Sequence, residues 1–400
     1  MTSNLSKFIF FALAPTGEGI SGSDRIFIEL AREWSKTCQV CVYTTIEGIQ
    51  MARRQKLNGK YLKLISVSDN LSNLFLVKYI QKILLGLKLG FRLKIRNTEK
   101  TFLYSASDFW MDFFPAMICK IRHPHCKLVC TWYQTAPNPL KGYKEDKRPG
   151  SSHRLRSFLY WFMQFPVKPL IKKYADKIIV NNENEKNQFP LQTRKGKVVV
   201  LIGGVPLEDI KKYLSENEKL LQRKVYDAVF QGRFHPQKGV VELIDIWAKV
   251  VEKVPNAKLA MIGDGPLMEK VKQKIKANKL EKNVRLFGYL FDGPKKYEIL
   301  SQSKVVVHPA FYDSGGMASA EAMAFGIPCV GFDLVAYKSY YPKGMVKVKI
   351  GDLQSYADNI VRLLKDDKLR RSLGDEAYAM ISKNWSWDVR ANNLLRAIKN

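Results

Sequence analysis

The chain has 400 residues, and its hydrophobic fraction of 46% is ordinary for a globular protein of about two domains. The formal net charge is +29, and residues 1–200 carry 33 Lys and Arg against 14 Asp and Glu. This charge predicts an anionic partner such as nucleic acid, an anionic membrane surface or a phosphate-bearing substrate. No uncharged apolar run reaches about 18 residues, so we expect no transmembrane helix.

The six cysteines do not suggest a disulfide or metal framework. Cys38 and Cys41 lie three residues apart in a predicted strand, where their side chains point to opposite faces. His123, His125 and Cys126 match no zinc-ligand spacing. We predict ordinary thiols, no metal site and a reducing compartment.

Strands and helices alternate from the start of the chain. Phe8–Ala14 is predicted to be a buried strand, and a loop rich in Gly and Ser leads into an amphipathic helix over 25–34. Further strands are predicted at 39–44, 102–105, 128–131, 177–181 and 198–202. This order is typical of a doubly wound parallel sheet, which binds ligands at the C-terminal ends of its strands.

Two segments of this half are apolar, basic and almost without acids. They are Leu71–Asn97 and Ser151–Lys173. One interpretation is that they are amphipathic and lie on an anionic membrane. The other is that they are ordinary helices packed on the sheet, with Lys and Arg in solvent.

A new alternation begins after Gly203, where we place the domain boundary. Strands are predicted at 226–230, 258–262, 284–287, 304–307 and 329–332, with helices at 240–254, 268–278 and 317–324. The predicted domains are 1–202, 203–383 and a C-terminal helix over 384–400 that can cross back to the first domain.

A Gly-rich turn precedes the helix over 317–324. Ser314, Gly315 and Gly316 relax the backbone there, and the N–H groups at a helix start suit a phosphate or a sugar oxygen. The carboxylates of Asp313 and Glu321 flank the turn. A site with both features is suited to holding a phosphate and gripping hydroxyl groups.

Three motifs of the second half together resemble family 4 of the retaining glycosyltransferases, the group 1 glycosyl transferases. The matching residues are Gly232-Arg233 with Lys238-Gly239, then Gly263-Asp264-Gly265-Pro266, then Asp313-x7-Glu321 followed by Ala322-Met323-Ala324-x-Gly326-x-Pro328. A fainter match lies at Gly22-Ser23-Asp24-Arg25. The resemblance implies an α/β protein of the GT-B fold, with two Rossmann-like domains facing a central cleft. The first would bind the acceptor and the second a nucleotide-sugar donor.

The resemblance also implies roles for individual residues. Arg233 and Lys238 would clamp the donor diphosphate and stabilise the negative charge that builds on it as the glycosidic bond breaks. Asp313 would hold hydroxyls of the donor sugar, and Glu321 would hold the ribose. The other implied donor contacts are Gly22, Ser23, Gly232, Gly263, Asp264, Gly265, Ser314, Gly315, Gly316 and Met317. No metal and no cofactor are required, because Arg and Lys can neutralise the diphosphate.

Two departures from the family pattern concern the sugar. The first acid of the pair is Asp313 where the family has Glu, which shortens its reach by one methylene. Many members carry a His after the strand at 128–131, where this chain has Trp132-Tyr133-Gln134. Asp108, Asp112 and Tyr133 are candidates for acceptor contacts.

The sequence thus predicts a retaining glycosyltransferase on the cytoplasmic face of the cell membrane. It would act on a lipid-linked or polysaccharide acceptor and bind the anionic membrane through Leu71–Asn97 and Ser151–Lys173. The alternatives are a catalytically inactive GT-B scaffold or membrane partner, and a nucleic-acid-binding protein. No nucleic-acid-binding motif is recognisable, so we expect no nucleic acid among its partners.

Overall fold

The computed structural model describes residues 5–16, 20–136, 154–218, 223–313 and 316–400. These residues divide into two compact units. Unit 1 contains the described residues up to Ile202 together with Trp387–Asn400, and unit 2 contains those of Gly203–Ser386.

Seven parallel strands form the sheet of unit 1, in the order β3-β2-β1-β4-β5-β6-β7. They are β1 (Lys7–Ala12), β2 (Gln39–Thr44), β3 (Leu62–Ser66), β4 (Thr101–Ser105), β5 (Lys127–Trp132), β6 (Lys177–Val180) and β7 (Val198–Val200). In β1, which lies between β2 and β4, Phe8–Ala12 are all buried, because both faces of an inner parallel strand are covered. The predicted doubly wound sheet is confirmed, and the edge strand β3, only partly buried, was not predicted.

Six parallel strands form the sheet of unit 2, in the order β10-β9-β8-β11-β12-β13. They are β8 (Tyr226–Gln231), β9 (Leu259–Ile262), β10 (Val284–Leu286), β11 (Ser303–His308), β12 (Cys329–Phe332) and β13 (Met345–Val348). All but β13 match predicted strands. The apolar faces of β8, β9 and β11 meet a buried cluster that includes Trp247, Phe332 and Tyr356.

The described chain contains fifteen α-helices. In unit 1 they are α1 (Gly22–Trp34), α2 (Ile46–Arg54), α3 (Phe75–Arg92), α4 (Trp110–Arg122), α5 (Arg154–Tyr174) and α6 (Pro190–Arg194). In unit 2 they are α7 (Leu207–Glu216), α8 (Val240–Lys253), α9 (Met268–Ala277), α10 (Pro294–Ser301), α11 (Met317–Met323), α12 (Val335–Tyr340), α13 (Leu353–Lys365) and α14 (Asp367–Asn384). The last helix is α15 (Trp387–Lys399).

Two boundaries in unit 1 differ from the prediction for identifiable reasons. The first strand ends at Ala12 rather than Ala14, because the N–H groups of Leu13 and Ala14 donate to the Asp112 carboxylate instead of to a neighbouring strand. The first helix begins at Gly22 rather than at residue 25. There, Ser21 and Asp24 form a reciprocal capping box that satisfies the first N–H groups of the helix.

The helix α3 packs on unit 1 through one face and exposes the other. An added Cβ at Gly86 would lie 2.7 Å from the Met111 carbonyl oxygen, and one at Gly90 would lie 2.9 Å from Pro115 Cα, so α3 and α4 approach closely. The opposite face exposes Phe75 and other large apolar side chains. The prediction that Leu71–Asn97 forms a helix packed on the sheet domain therefore accounts for one face of α3 only. No helix within the described ranges is both long enough and apolar enough to cross a membrane.

The C-terminal helix α15 belongs to unit 1. It packs on α1, where the buried Trp34 indole Nε1 donates to the Ala391 carbonyl oxygen at 2.9 Å. In unit 2, the N–H of Val205 donates to the Trp385 carbonyl oxygen at 2.7 Å, just before α15 begins.

Candidate functional site

The predicted site residues of unit 2 gather at one edge of its sheet. Gln231 ends β8, Ile262 ends β9 and His308 ends β11. The three strands are parallel, and β8 lies between β9 and β11. Parallel strands end at the same edge, so the three motifs that follow them are brought together. The first and last motifs are about 80 residues apart in the sequence, but they lie close together in space because their strands are neighbours in the sheet.

The first two motifs pack backbone against backbone. The Gly232 N–H donates to the Ile262 carbonyl oxygen at 3.0 Å. An added Cβ at Gly263 would lie 1.8 Å from the Gly232 carbonyl oxygen, and one at Gly265 would lie 2.6 Å from the Phe234 carbonyl oxygen. Both glycines also have positive φ, at 142° and 154°. Only glycine fits these positions, so they shape the site even without contacting a ligand.

The loop that carries Lys238 is fixed beside the end of β11. Gly239 adopts a φ of 63°, and a Cβ there would lie 2.0 Å from the Pro309 carbonyl oxygen. The Phe311 N–H also donates to the Gln237 carbonyl oxygen at 2.8 Å. These contacts hold the first and third motifs together. Arg233, in the same loop, has an exposed side chain, and Asp264 is exposed as well.

Asp313 lies at the centre of a buried network. Its Oδ1 lies 3.1 Å from Lys238 Nζ and accepts from the Gly316 N–H at 3.3 Å. Its Oδ2 lies 3.0 Å from His308 Nε2 and accepts from the Tyr337 hydroxyl at 2.9 Å. Both oxygens are therefore occupied by protein donors.

Charge keeps Asp313 ionised in this network. Burial alone would raise the pKa of Asp313, but the Lys238 cation and the hydrogen bond from His308 hold it well below its usual range. Burial lowers the pKa of His308 below its ordinary value, so the imidazole is neutral at pH 7 and Nε2–H donates to the carboxylate. The contact with Asp313 fixes the position of the Lys238 ammonium, so this positive charge is held in place before any ligand binds.

Glu321 is held by two other residues. Gln231 Nε2 donates to its Oε2 at 2.5 Å, and Lys296 Nζ lies 2.7 Å from its Oε1. Glu321 itself is buried in α11. Its carboxylate therefore sits where β8 ends, on the same sheet edge as Lys238 and Asp313.

The helix α11 starts with Gly316 in the left-handed region, at a φ of 60°. The Tyr341 hydroxyl donates to the Gly316 carbonyl oxygen. An added Cβ at Gly203 would lie 2.2 Å from Met317 Cγ, so Met317 packs tightly against the start of unit 2. Ser314 and Gly315, which the sequence places in this turn, lie outside the described residues.

The other predicted site residues belong to unit 1. Gly22 and Ser23 lie in the first turn of α1. Asp112 is buried, accepts from Leu13 and Ala14, and its pKa is raised to about 7 by burial. These bonds position the loop that follows β1.

The other unit 1 candidates are also engaged with protein groups. Asp108 accepts from Gln164 Nε2 at 2.6 Å, and burial raises its pKa to about 6. The hydroxyls of Tyr133 and Tyr104 are 2.8 Å apart. Trp132, which stands where many family members have His, is 1% exposed, so it fills the core rather than facing a substrate. All six cysteines of the chain are free thiols.

Sequence reasoning missed His308, Lys296, Tyr337 and Gln231. The pattern of α10 does contain a signal for Lys296, because it shares a helical face with the buried Ile299 and Leu300. A lysine on such a face requires a partner. Tyr337 carries no such signal, since its bond to Asp313 spans 24 residues.

The chain is similar to known proteins. A family model described as "Glycosyl transferases group 1" matches residues 214–380. The chain is 31% identical over 170 residues to N-acetyl-alpha-D-glucosaminyl L-malate synthase of Bacillus anthracis, covering 42% of each chain. It is 21% identical over 372 residues to poly(glycerol-phosphate) alpha-glucosyltransferase of Bacillus subtilis (strain 168), covering 84% of this chain and 52% of that protein. The chain thus spans about half the length of the curated relatives it matches.

The fold is shared with solved structures. The crystal structure of Anabaena HepE in complex with UDP and glucose matches with a TM-score of 0.71 at 15% identity, covering 99% of this chain and 100% of that one. Together with the two parallel sheets, this likeness confirms the predicted GT-B fold.

Proposed function

We propose that the protein transfers a sugar from a nucleotide-diphosphate sugar to an acceptor hydroxyl, since residues 214–380 match the model of the group 1 glycosyl transferases. The observation that carries this proposal is the 3.1 Å contact between Lys238 Nζ and Asp313 Oδ1. It joins the first and third motifs at the edge of the sheet where ligands of such folds bind. Lys238 and Arg233 bind the donor diphosphate in this proposal, without a metal ion. Glu321 accepts hydrogen bonds from the ribose.

The reaction retains the configuration of the donor sugar. The acceptor oxygen forms a bond to the anomeric carbon on the face from which the diphosphate leaves. The leaving phosphate oxygen takes the acceptor proton. The state of Asp313 supports this route, because its oxygens already accept hydrogen bonds and its low pKa makes it a poor nucleophile for a covalent glycosyl intermediate.

A thermal-shift experiment tests the donor site. UDP, GDP, ADP and TDP, alone and as sugar conjugates, are added to the wild-type protein and to Arg233→Ala. One base is expected to raise the melting temperature of the wild type. The gain in Arg233→Ala should fall to less than half, since a diphosphate contact is lost. Arg371→Ala, at an exposed position of α14, is the matched control and should respond like the wild type.

The absence of any nucleotide response would contradict a donor site and favour an inactive GT-B scaffold. An equal rise in melting temperature in Arg233→Ala and the wild type would show that the protein binds the nucleotide without a contribution from Arg233.

The acceptor in this proposal is lipid-linked or a polysaccharide, reached from the inner face of the cell membrane. Large apolar side chains exposed on α3 and α5, and at the residue just before α3, support it: Leu74, Phe75, Leu76, Ile80, Leu84, Phe91, Phe158, Leu159, Trp161, Phe162 and Phe165. The two helices are linked by the Tyr79 hydroxyl, which lies 2.9 Å from Met163 Sδ. Neither helix contains Asp or Glu, whereas both carry Lys and Arg. An anionic lipid surface complements both properties. Residues 151–153 of the second predicted segment lie outside the described residues.

Replacing Phe75 and Leu76 together by Ser is expected to weaken binding to vesicles about 10- to 100-fold, because two exposed apolar side chains no longer enter the lipid. The measurement is co-sedimentation with vesicles of phosphatidylglycerol, compared with phosphatidylcholine. Leu191→Ser is the control, since Leu191 is 61% exposed on α6, away from both helices in sequence. Equal sedimentation of all three proteins would show that this face does not bind lipid.

A further inference from the structure

Lys296 is a buried lysine next to the candidate site. Its side chain is 5% exposed, and it is the third residue of α10, in the first turn of that helix. Its Nζ lies 2.7 Å from Glu321 Oε1 and 2.6 Å from Asp292 Oδ1. Lysine is almost never buried unless it is paired, because burying an unpaired charge costs free energy. The two carboxylates offset that cost here.

The pairing keeps Lys296 charged. Burial alone would lower the pKa of Lys296, but the charges of Glu321 and Asp292 outweigh it, and the pKa is raised. Lys296 is anchored from α10 and Gln231 from β8, so the carboxylate is gripped from two elements.

Two acceptor oxygens of the hydrogen-bonded pair Gln231–Glu321 have no hydrogen-bond donor of good geometry in the described part of the chain. Among the described residues, none donates a hydrogen bond of good geometry to Glu321 Oε1 or to Gln231 Oε1, although both atoms are buried. The contact between Lys296 Nζ and Glu321 Oε1 is close enough for an ion pair but lies outside the angular range of a hydrogen bond. Two acceptors on side chains that are hydrogen-bonded to each other match a ligand that offers two donors, such as a diol.

We propose that Lys296 is a positioning residue for ribose recognition, which holds the Glu321 carboxylate in the orientation that accepts hydrogen bonds from the ribose hydroxyls of the donor nucleotide. This inference rests on the proposed function, because it assigns Lys296 to the nucleotide site of that reaction. Lys296 itself does not contact the nucleotide. Its effect therefore depends on the hydroxyls and on Glu321.

The test compares nucleotides that differ only in those hydroxyls. The diphosphate among UDP, GDP and ADP that most raises the melting temperature is titrated calorimetrically, beside its 2′-deoxy and 3′-deoxy forms. The wild type is expected to prefer the ribonucleotide about tenfold or more, as for hydrogen bonds to a charged group. In Lys296→Met that preference should fall at least fivefold, while affinity for the deoxynucleotides changes less than about threefold.

Lys295→Met is the matched control, because Lys295 is the adjacent lysine of the same helix and is exposed. It should keep the wild-type preference. A purely structural role of Lys296 would lower the affinities for all three nucleotides by the same factor, and that result would overturn the proposal. So would an unchanged preference in Lys296→Met.

A second pair of variants covers the case in which Lys296→Met does not fold because its carboxylate partner is left unpaired. Glu321→Gln and Glu321→Gln/Lys296→Met contain no such unpaired carboxylate at position 321. Equal ribose preferences in the two would support action through Glu321, and a further loss in the double variant would contradict it. If the wild type binds none of the diphosphates, the proposed function itself fails. Binding with an unaltered ribose preference overturns only the role of Lys296.

Discussion

Replacing Lys238 by Met is expected to lower kcat/KM for sugar transfer about 100- to 1,000-fold, the usual loss when one group that stabilises developing charge is removed. Lys238 is already held 3.1 Å from Asp313, so its charge needs little reorganisation when the diphosphate leaves. The loss should appear mainly in kcat, because the negative charge on the diphosphate is greatest in the transition state. The measurement is the release of nucleoside diphosphate from the nucleotide-sugar that binds in the thermal-shift experiment.

The control for this substitution is Lys270→Met, which removes an exposed lysine from α9 and should keep wild-type kinetics. A kcat/KM for Lys238→Met within about tenfold of the wild type would show that Lys238 is not part of the clamp. Melting temperatures must accompany the kinetics, since Lys238 also keeps the buried Asp313 ionised.

Replacing Gly263 by Ala is expected to destabilise unit 2 by about 3–5 kcal/mol, which is exceptional for so small a change. The new Cβ would lie 1.8 Å from the Gly232 carbonyl oxygen, and the φ of 142° is unfavourable for any residue with a Cβ. The loops after β8 and β9 would have to separate. For a domain of this size, such a loss lowers the melting temperature by roughly 6–20 °C.

Calorimetry of the unfolding transition measures this effect, and Gly288→Ala provides the comparison. Gly288 also has a positive φ, at 67°, but no atom lies within 4 Å of its added Cβ, so only the backbone strain of about 1–2 kcal/mol remains. If the two variants melted at the same temperature, the close packing of Gly263 on Gly232 would not be important for stability.

The sequence was informative where a local pattern determines the structure. The buried strands β8, β9 and β11 are short apolar runs, so they could be predicted, and the motif residues were recognised in the turns that follow them. The edge strand β3 could not, because it is half-buried and has no continuous apolar run.

Contacts between distant segments explain what was missed at the site. The role of Asp313 in holding a sugar stays a prediction. Its position is set by contacts with His308, Lys238 and Tyr337, which no local sequence pattern reveals. Gly263 was predicted to contact the donor, and its approach to Gly232 depends on two loops that are about 30 residues apart. The contact of Lys296 with Glu321 also depends on tertiary packing, although its helical register marked it as buried.

The position of α15 affects the order in which the protein can be completed during synthesis. Unit 1 needs this helix to accept the Trp34 indole donor, yet the whole of Gly203–Ser386 is made before it. At typical rates of translation these residues take roughly 10–40 s. During that time the strands of unit 1 have been synthesised, but the α1 surface around Trp34 is not yet covered by α15. Unit 2 can therefore complete its folding before unit 1 does.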